Sequence, residues 1–180
     1  MGSSALEHSK FAYFADFVIY ALAVTLVAAA LVEGAPRADW PALSALVVLG
    51  LLGWSLVEYV AHRFVLHDLP PFRVWHADHH AHPTALICTP TLVSGALIAL
   101  LIFLPALLLS NLWRASALTL GMLTGYLAYS CIHHAVHHWH GGGRWMLERK
   151  RCHAMHHHSD QAGHYGVTTS FWDAVFRTLK

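Results

Sequence analysis

The chain has 180 residues, of which 56% are hydrophobic and only 12% carry a formal charge, whereas about a quarter of the residues are charged in a soluble globular domain. The formal net charge of +1 provides no field that would steer nucleic acid, so we expect no nucleic-acid partner. Three cysteines without a CxxC pair exclude a disulfide framework and a thiolate zinc ribbon. The composition therefore favours a protein embedded in a membrane.

Four apolar stretches follow a polar N-terminal segment. Residues 1–10, MGSSALEHSK, are small and polar, so we expect them to be disordered and residues 11–180 to form one integral-membrane domain. The stretches cover residues 11–32, 40–61, 88–109 and 112–131, and each approaches the roughly 20 residues that a transmembrane helix needs. A signal peptide is the alternative for the first stretch, but this stretch is longer than a normal signal-peptide core. The sequence predicts an all-α, polytopic membrane protein with four transmembrane helices.

The connecting segments predict which side of the membrane carries the polar residues. Four spans place the N-terminus, the loop over residues 63–87 and the tail after residue 131 on one side. That tail carries the basic residues Arg144, Arg149, Lys150 and Arg151, and the positive-inside rule makes this side cytoplasmic. Of the 17 histidines, all but His8 fall between His62 and His164. We therefore expect a cytosolic histidine-rich cap on a bacterial inner membrane or an ER-type membrane.

The first histidine group lies where the second apolar stretch ends, in EYVAHRFVLH, and contains His62 and His67. Glu58 lies four residues before His62 and shares its helix face. A charge at helix depth costs about 2.5–3.5 kcal/mol on insertion scales, so Glu58 needs a partner. We expect its carboxylate to accept the second ring N–H of a ligand histidine and fix the tautomer. The alternative is an interfacial glutamate whose carboxylate reaches water.

The second and fourth groups share the spacing HxxHH. Their members are His76, His79 and His80, and His153, His156 and His157. Spacings of three and four residues bring these side chains to neighbouring positions on a helix. His82 precedes Pro83, which biases its backbone away from helix, so we place it outside the ligand set. His158 and His164 are expected to face solvent or to support the ligands.

The third group, HHAVHHWH, contains two pairs spaced by four residues, His133 with His137 and His134 with His138. The two pairs are rotated by about 100° on a helix, so only one of them can point at a common centre. Spacing alone leaves this choice open.

The number and type of these side chains predict metal binding. A single histidine tract can bind metal adventitiously, but four separated groups on one membrane face favour an internal site. About ten imidazoles exceed the four ligands that close a structural zinc site, so we expect two metal ions. Nitrogen-rich ligation favours iron, copper, zinc or nickel over calcium and magnesium.

The order of these groups resembles the fatty acid hydroxylase / sterol desaturase superfamily of membrane-bound di-metal oxygenases. Its pattern HxxxxH, HxxHH, HxxxH, HxxHH is matched in order, and its closing stretch G-V-T-[ST]-x-x-W-D-x-x-F-x-T is matched by GVTTSFWDAVFRT at residues 166–178. The resemblance extends from Glu58 to the C-terminus and leaves the first helix outside. It selects the pair His133 and His137 in the third group. The implied ligands are His62, His67, His76, His79, His80, His133, His137, His153, His156 and His157.

The resemblance also implies a chemistry. Two iron ions would activate O2 and hydroxylate a lipid substrate, with the acyl chain of a fatty acid or polar lipid as the nearest substrate class; zinc fits the same ligands. Electrons would come from an external cytochrome b5 or ferredoxin type donor, for which the basic run Arg149–Lys150–Arg151 is a candidate docking site or, alternatively, a positive-inside anchor. Acids near the ligands would balance the metal charge. The candidates are Glu58, Asp78, Asp160 and Asp173.

Two other functions remain open from the sequence. A lipid desaturase, or a carotenoid or sterol oxidase, would use the same metal site. A non-catalytic metal-binding membrane protein is the alternative outside the enzymes, although a transporter should place its ligands near the middle of the bilayer.

Overall fold

The computed structural model describes residues 7–158 and 162–180, and the regular elements in these ranges are helices. In chain order they are α1 (Lys10–Gly34), α2 (Trp40–Val60), α3 (Phe72–Ala81), α4 (Thr91–Ile98), α5 (Leu104–Leu109), α6 (Leu112–His138), α7 (Arg144–His158) and α8 (Phe171–Val175). A 3₁₀ turn, Arg37–Asp39, precedes α2. Two π-helical segments follow α2 and α4, at Ala61–Leu66 and Ala99–Phe103. The all-α prediction is confirmed.

The described residues contain four helical stretches that are long and apolar enough to cross a membrane. They are Lys10–Gly34, Arg37–Leu66, Thr91–Leu109 and Leu112–His138. Each overlaps one of the four predicted stretches. The last stretch continues beyond residue 131, so the third histidine group lies on the helix itself. The His8 backbone N–H donates to the Leu86 carbonyl at 2.9 Å, while residues 1–6 of the predicted disordered segment lie outside the described residues.

Pro105 lies inside the third of these stretches, near the start of α5. Proline lacks an N–H, and its ring displaces the carbonyl four residues earlier. The π-helical segment Ala99–Phe103 precedes it and has wider hydrogen-bond spacing than an α-helix. The helix therefore passes through Pro105 and ends at Leu109.

The chain divides into two compact units. The first, which we call the apolar unit, consists of Phe14–Trp54 and Thr89–Leu127. The second, which we call the histidine unit, consists of Ser55–Cys88 and Ala128–Lys180 together with the described residues 7–13. All of the predicted metal ligands belong to the histidine unit.

Within the apolar unit, α2 and α6 approach closely at two glycines. A Cβ atom on Gly121 would lie 2.1 Å from the Val47 carbonyl oxygen, and one on Gly50 would lie 2.3 Å from the Leu118 carbonyl oxygen. Small residues allow the backbones of membrane helices to pack in this way. Any larger side chain at either position would force the two helices apart.

The same unit contains buried polar side chains between α1 and α4. The Thr91 hydroxyl donates to the Asp16 carboxylate at 2.6 Å, and the hydroxyls of Tyr20 and Ser94 are 2.7 Å apart. Polar groups in an apolar environment are costly unless they are hydrogen-bonded. These hydrogen bonds therefore fix the pairing of α1 with α4, which dispersion forces alone would not specify.

Candidate metal centre

The HxxxxH spacing of the first group is explained by a local departure from α-helix. Residues five apart do not share a face of an α-helix, but a π-helix repeats its hydrogen bonds from residue i to i+5. His62 and His67 lie at such a spacing in and just after the π-helical segment Ala61–Leu66. Their rings are nearly parallel, with centroids 5.4 Å apart and an interplanar angle of 21°. The π-helical turn therefore directs both imidazoles to one place.

The HxxHH groups on α3 and α7 each direct their histidines to two different positions. On α3, His76 and His80 are one helical turn apart and point the same way, whereas His79 is rotated away from them. On α7, His156 turns towards the His76 side, and His153 turns towards the His79 side. Each HxxHH helix therefore contributes to two separate histidine groups.

Nine of the described histidines form two groups, and in each group the ligand nitrogens lie within 4.8 Å of one another. The five-histidine group consists of His62, His67, His76, His80 and His156, and the four-histidine group consists of His79, His133, His137 and His153. The tenth predicted ligand, His157, has its Nε2 3.1 Å from that of His153, and its ring stacks on His80 with a centroid distance of 4.1 Å. The structure thus brings all ten predicted ligands together.

The structure also distinguishes the two pairs on α6. His133 and His137 belong to the four-histidine group. His134 and His138 lie outside both groups, with their rings stacked at 4.5 Å, and His134 Nδ1 is 3.2 Å from the Tyr13 hydroxyl. This arrangement agrees with the choice that the family resemblance made.

The spacing of the ring nitrogens fits shared cations better than hydrogen bonds. His76 Nε2 lies 3.0, 3.2 and 3.0 Å from the Nε2 atoms of His62, His67 and His80. A neutral imidazole has one N–H and one lone pair, so a single Nε2 cannot satisfy three others by hydrogen bonding. Two imidazole nitrogens at about 2.0–2.1 Å from one metal, and at right angles, lie about 2.9 Å apart. The observed spacing matches that value.

Two ligands have their tautomer set by main-chain carbonyls. His62 Nδ1 donates to the Tyr165 carbonyl oxygen at 2.5 Å, and His156 Nδ1 donates to the Gly163 carbonyl oxygen at 2.8 Å. Because a carbonyl can only accept, the ring proton lies on Nδ1, and Nε2 presents its lone pair to the group. This is the form of imidazole that binds a metal ion.

Burial keeps these imidazoles neutral. Desolvation, with a smaller contribution from neighbouring imidazoles, lowers the pKa of His79 and of His80 to about 3. Burial also lowers the pKa of His156 to about 4, although its hydrogen bond to the Gly163 carbonyl opposes the shift. At neutral pH these side chains are therefore unprotonated, as metal binding requires.

Glu58 has partners other than those that the sequence predicts. Its Oε1 accepts the backbone N–H groups of Val167 and Thr168 at 2.6 and 2.8 Å, and its Oε2 accepts the Thr168 hydroxyl at 2.5 Å. The predicted contact with a ligand histidine is wrong, because the Nδ1 of His62 is already bonded to Tyr165. The water-reaching alternative is wrong as well, since Glu58 is only 3% exposed.

Asp173 acts in the same way on the neighbouring backbone. This residue has 0% exposure and accepts the N–H groups of Tyr165 and Gly166, both at 2.8 Å, and the Thr178 hydroxyl at 2.7 Å. It therefore reaches the ligands through the main chain and not directly.

The other two predicted acids have different outcomes. Asp78 lies 3.0 Å from His82 Nδ1, and both residues are outside the two histidine groups, as predicted for His82. Asp160 lies outside the described residues.

The structure bears on two further expectations about the tail, and it contradicts the solvent-facing reading of His164. His164, expected to be solvent-facing or supporting, is buried with 6% exposure, and its Nε2 lies 2.6 Å from the Lys180 carbonyl oxygen. The basic run at residues 149–151 does not form a continuous cationic surface. Arg149 is 5% exposed and donates to the Ser170 hydroxyl at 2.7 Å, while Lys150 donates to the carbonyls of Trp139 and Gly141. The Arg149 guanidinium and the Lys150 ammonium are thus both hydrogen-bonded to other residues of the chain.

Sequence reasoning missed the contribution of residues 163–168, whose main chain holds two ligands in place. A carbonyl acceptor leaves no residue signature, because any amino acid supplies one. The motif GVTT was the available signal, but it indicates a family and not a hydrogen-bonding role.

The sequence model of the fatty acid hydroxylase family matches residues 47–178. The chain belongs to this family. With its four apolar helices, this member of the fatty acid hydroxylase family is an integral membrane protein.

Individual relatives of the chain are named as fatty acyl or fatty acid 2-hydroxylases. A dihydroceramide fatty acyl 2-hydroxylase of Arabidopsis thaliana is 34% identical over 151 residues, which are 78% of this chain and 62% of the relative. A fatty acid 2-hydroxylase of Rattus norvegicus is 34% identical over 149 residues, which are 74% of this chain and 39% of the relative. The chain thus spans less than two thirds of the length of these curated relatives.

A solved structure has the same fold. Full-length scs7p, of which only the hydroxylase domain is visible, matches with a TM-score of 0.79 and 26% sequence identity. The match covers 93% of this chain and 66% of that chain. The helical arrangement described above is therefore also found in a solved structure of a hydroxylase domain.

Proposed function

We propose that this protein is a membrane-bound di-iron monooxygenase that hydroxylates the acyl chain of a lipid at the carbon next to the carbonyl group. Family membership supports hydroxylation, and the names of the relatives, fatty acid and fatty acyl 2-hydroxylases, support the position. The observation that carries the proposal is the pair of all-histidine groups in one unit of the fold. Two separate groups of this size match two metal ions better than one.

The histidines have defined roles in this proposal. The five-histidine and four-histidine groups, with His157 beside them, each hold one iron, and zinc can replace iron in a purified sample. When bound, the irons supply reductive activation of O2. The imidazole ligands resist oxidation better than thiolates, which an oxidant would convert to sulfenic and higher acids. The two carboxylates Glu58 and Asp173 offset part of the positive charge from behind the backbone of residues 165–168.

The proposed reaction requires electrons and protons in addition to O2 and the lipid. One oxygen atom of O2 enters a C–H bond and the other leaves as water, with two electrons and two protons supplied from outside. We propose a one-electron carrier of the cytochrome b5 or ferredoxin type as the donor. The lipid would enter from the bilayer. The positive-inside rule, applied to the basic tail of the histidine unit, supports a metal centre on the cytoplasmic side. Residues 11–180 act as a single membrane domain.

Lipid profiling tests this function. Cells that express the protein should accumulate acyl chains with one added oxygen atom at carbon 2, and cells that express His156→Ala should not. Acyl chains that lose two hydrogens without gaining oxygen would identify a desaturase instead. Unchanged lipids together with stoichiometric metal binding would favour the non-catalytic metal-binding protein.

A further inference from the structure

Residues 163–168 form a segment, here called the C-terminal strap, that contacts the ligands through its main chain. The carbonyl oxygens of Gly163 and Tyr165 accept the Nδ1–H groups of His156 and His62 at 2.8 and 2.5 Å. Both of these imidazoles belong to the five-histidine group. The strap therefore sets the ring orientation and the tautomer of two ligands of the same metal position.

Two buried carboxylates hold the strap. Four consecutive N–H groups of the strap, at residues 165–168, donate to Asp173 and Glu58 over distances of 2.6 to 2.8 Å. Neither carboxylate forms an ion pair with a described residue. Charge-assisted hydrogen bonds of this kind are roughly twice as strong as neutral ones. The strap is thus held along its N–H run by two buried carboxylates that form no ion pair within the described part of the chain.

The packing around the strap leaves no room for adjustment. A Cβ atom on Gly166 would lie 2.0 Å from the Thr169 carbonyl oxygen and 2.9 Å from Asp173 Oδ2. Glycine is therefore required for the main chain to approach the carboxylate. The carboxylates therefore hold the main chain of the strap, with a further hydrogen bond from the Thr168 hydroxyl to Glu58.

The four-histidine group has no comparable support. In this group, the Nδ1 atom of His153 and both ring nitrogens of His79 are buried without a hydrogen-bond partner among the described residues, as is the Nδ1 atom of the adjacent His157. No main-chain carbonyl in this part of the structure fixes their tautomer. The two metal positions are therefore built differently, although both consist of imidazoles.

We propose that Glu58 and Asp173 are positioning residues for one metal position: by holding the C-terminal strap they orient His62 and His156, so that the five-histidine group retains its metal more tightly than the four-histidine group. This proposal rests on the metal centre of the proposed function but not on the reaction. Removing a group that orients a ligand typically costs 10–100-fold in metal affinity. The two positions should therefore differ by a factor within about that range.

Metal release tests the proposal without any measurement of turnover. Purified protein in lipid is loaded with Zn²⁺, exposed to excess chelator, and its zinc content per chain is followed by elemental analysis. The wild type should lose two metal ions in two phases. His137→Ala, which removes a ligand of the four-histidine group, should abolish the fast phase and leave the slow one.

Variants of Glu58 then assign the slow phase. Glu58→Ala should accelerate it by about 10–100-fold. Glu58→Gln should recover most of the wild-type rate, because its amide oxygen still accepts the two N–H groups and its amide N–H meets a Thr168 hydroxyl that can rotate to accept. Glu58→Ala should leave the fast phase unchanged, whereas the loss of a residue that serves only the fold would accelerate both phases. Glu148→Ala, at a carboxylate whose side chain is 63% exposed, is the matched control and should leave both phases unchanged.

A second variant covers the case in which Glu58→Ala does not fold. Thr168→Val removes only the hydroxyl bond to Glu58 and should accelerate the slow phase by a smaller factor. Release of both metals in a single phase from the wild type would overturn the proposal, as would an unchanged slow phase in Glu58→Ala or in Thr168→Val. A wild type that binds no metal would instead contradict the proposed metal centre itself.

Discussion

Asp173→Asn should destabilise the protein far more than Glu58→Gln, although each change replaces a buried carboxylate by its amide. The two oxygens of Asp173 face backbone N–H groups, those of Tyr165 and Gly166. An asparagine has one oxygen, so in either orientation its amide N–H must point at a backbone N–H. Glu58 differs, because its Oε2 faces the hydroxyl of Thr168, which can act as a donor or as an acceptor.

The magnitude follows from the hydrogen bonds that are lost. Asp173→Asn leaves one buried N–H group without an acceptor, which costs about 1–3 kcal/mol, and it weakens the remaining bonds by removing their charge. The total should be about 2–5 kcal/mol, a large part of the roughly 5–15 kcal/mol that stabilises a folded domain. Glu58→Gln keeps an acceptor for both backbone N–H groups and should cost about 1–2 kcal/mol, mainly through the lost charge assistance.

Chemical unfolding of the purified, zinc-loaded variants in mild detergent measures this difference. The wild type and Glu148→Gln serve as references, since the Glu148 side chain is largely exposed. The free energies of unfolding should rank Asp173→Asn well below Glu58→Gln. Equal destabilisation by the two amides would refute the hydrogen-bond assignment on which the role of the strap depends.

Three further changes test other parts of the structure. His156→Ala should reduce bound metal to about one ion per chain and abolish turnover, whereas His82→Ala, outside both histidine groups, should leave the metal content unchanged; elemental analysis distinguishes them. Gly121→Ala should destabilise the protein by about 1–3 kcal/mol in the same unfolding assay, because the added Cβ atom would clash with the backbone of α2. Gly143→Ala is the control and should be neutral, because a Cβ atom there has no neighbour within 4 Å. Metal-free protein should lose stability as the pH falls from about 6.5 towards 3, because burial lowers the pKa of these imidazoles to about 3 and 4, so they are protonated more readily in the unfolded chain. Unfolding measured as a function of pH tests this, and bound metal should shift the loss of stability to lower pH.

The sequence predicts the helices and the grouping of the histidines well because both depend on patterns that repeat along the chain. Apolar stretches near the thickness of a bilayer leave little alternative to transmembrane helices. Spacings of three and four residues report side chains that meet on a helix, and the structure places His76 with His80 and His133 with His137 accordingly. The position of residues 134 and 138 outside the groups needed the family pattern, since spacing treats both pairs alike.

Local geometry sets the limit of such reasoning. The π-helical turn that aligns His62 with His67 depends on hydrogen bonds shifted by one residue, and no residue type in AHRFVL specifies that shift. The division of each HxxHH helix between two groups depends on how the helices pack, which spacing does not encode.

The acids show a further limit. Glu58 lies at the right spacing to contact His62, yet its carboxylate binds residues more than a hundred positions away in the chain. A sequence indicates that a buried charge needs a partner, but the partner here is a run of backbone N–H groups. Main-chain donors and carbonyls are present at every residue, so their role becomes visible only when the fold brings them together.

The most direct test of the proposed function is the fate of molecular oxygen. Iron-loaded protein in lipid, with a reductant, a one-electron carrier and ¹⁸O₂, should convert an acyl lipid into a product that carries one ¹⁸O atom at carbon 2, as located by fragmentation in a mass spectrometer. The same reaction with His156→Ala should give no labelled product. A product without ¹⁸O, or oxygen consumption that is independent of lipid, would contradict the assignment of this protein as a lipid hydroxylase.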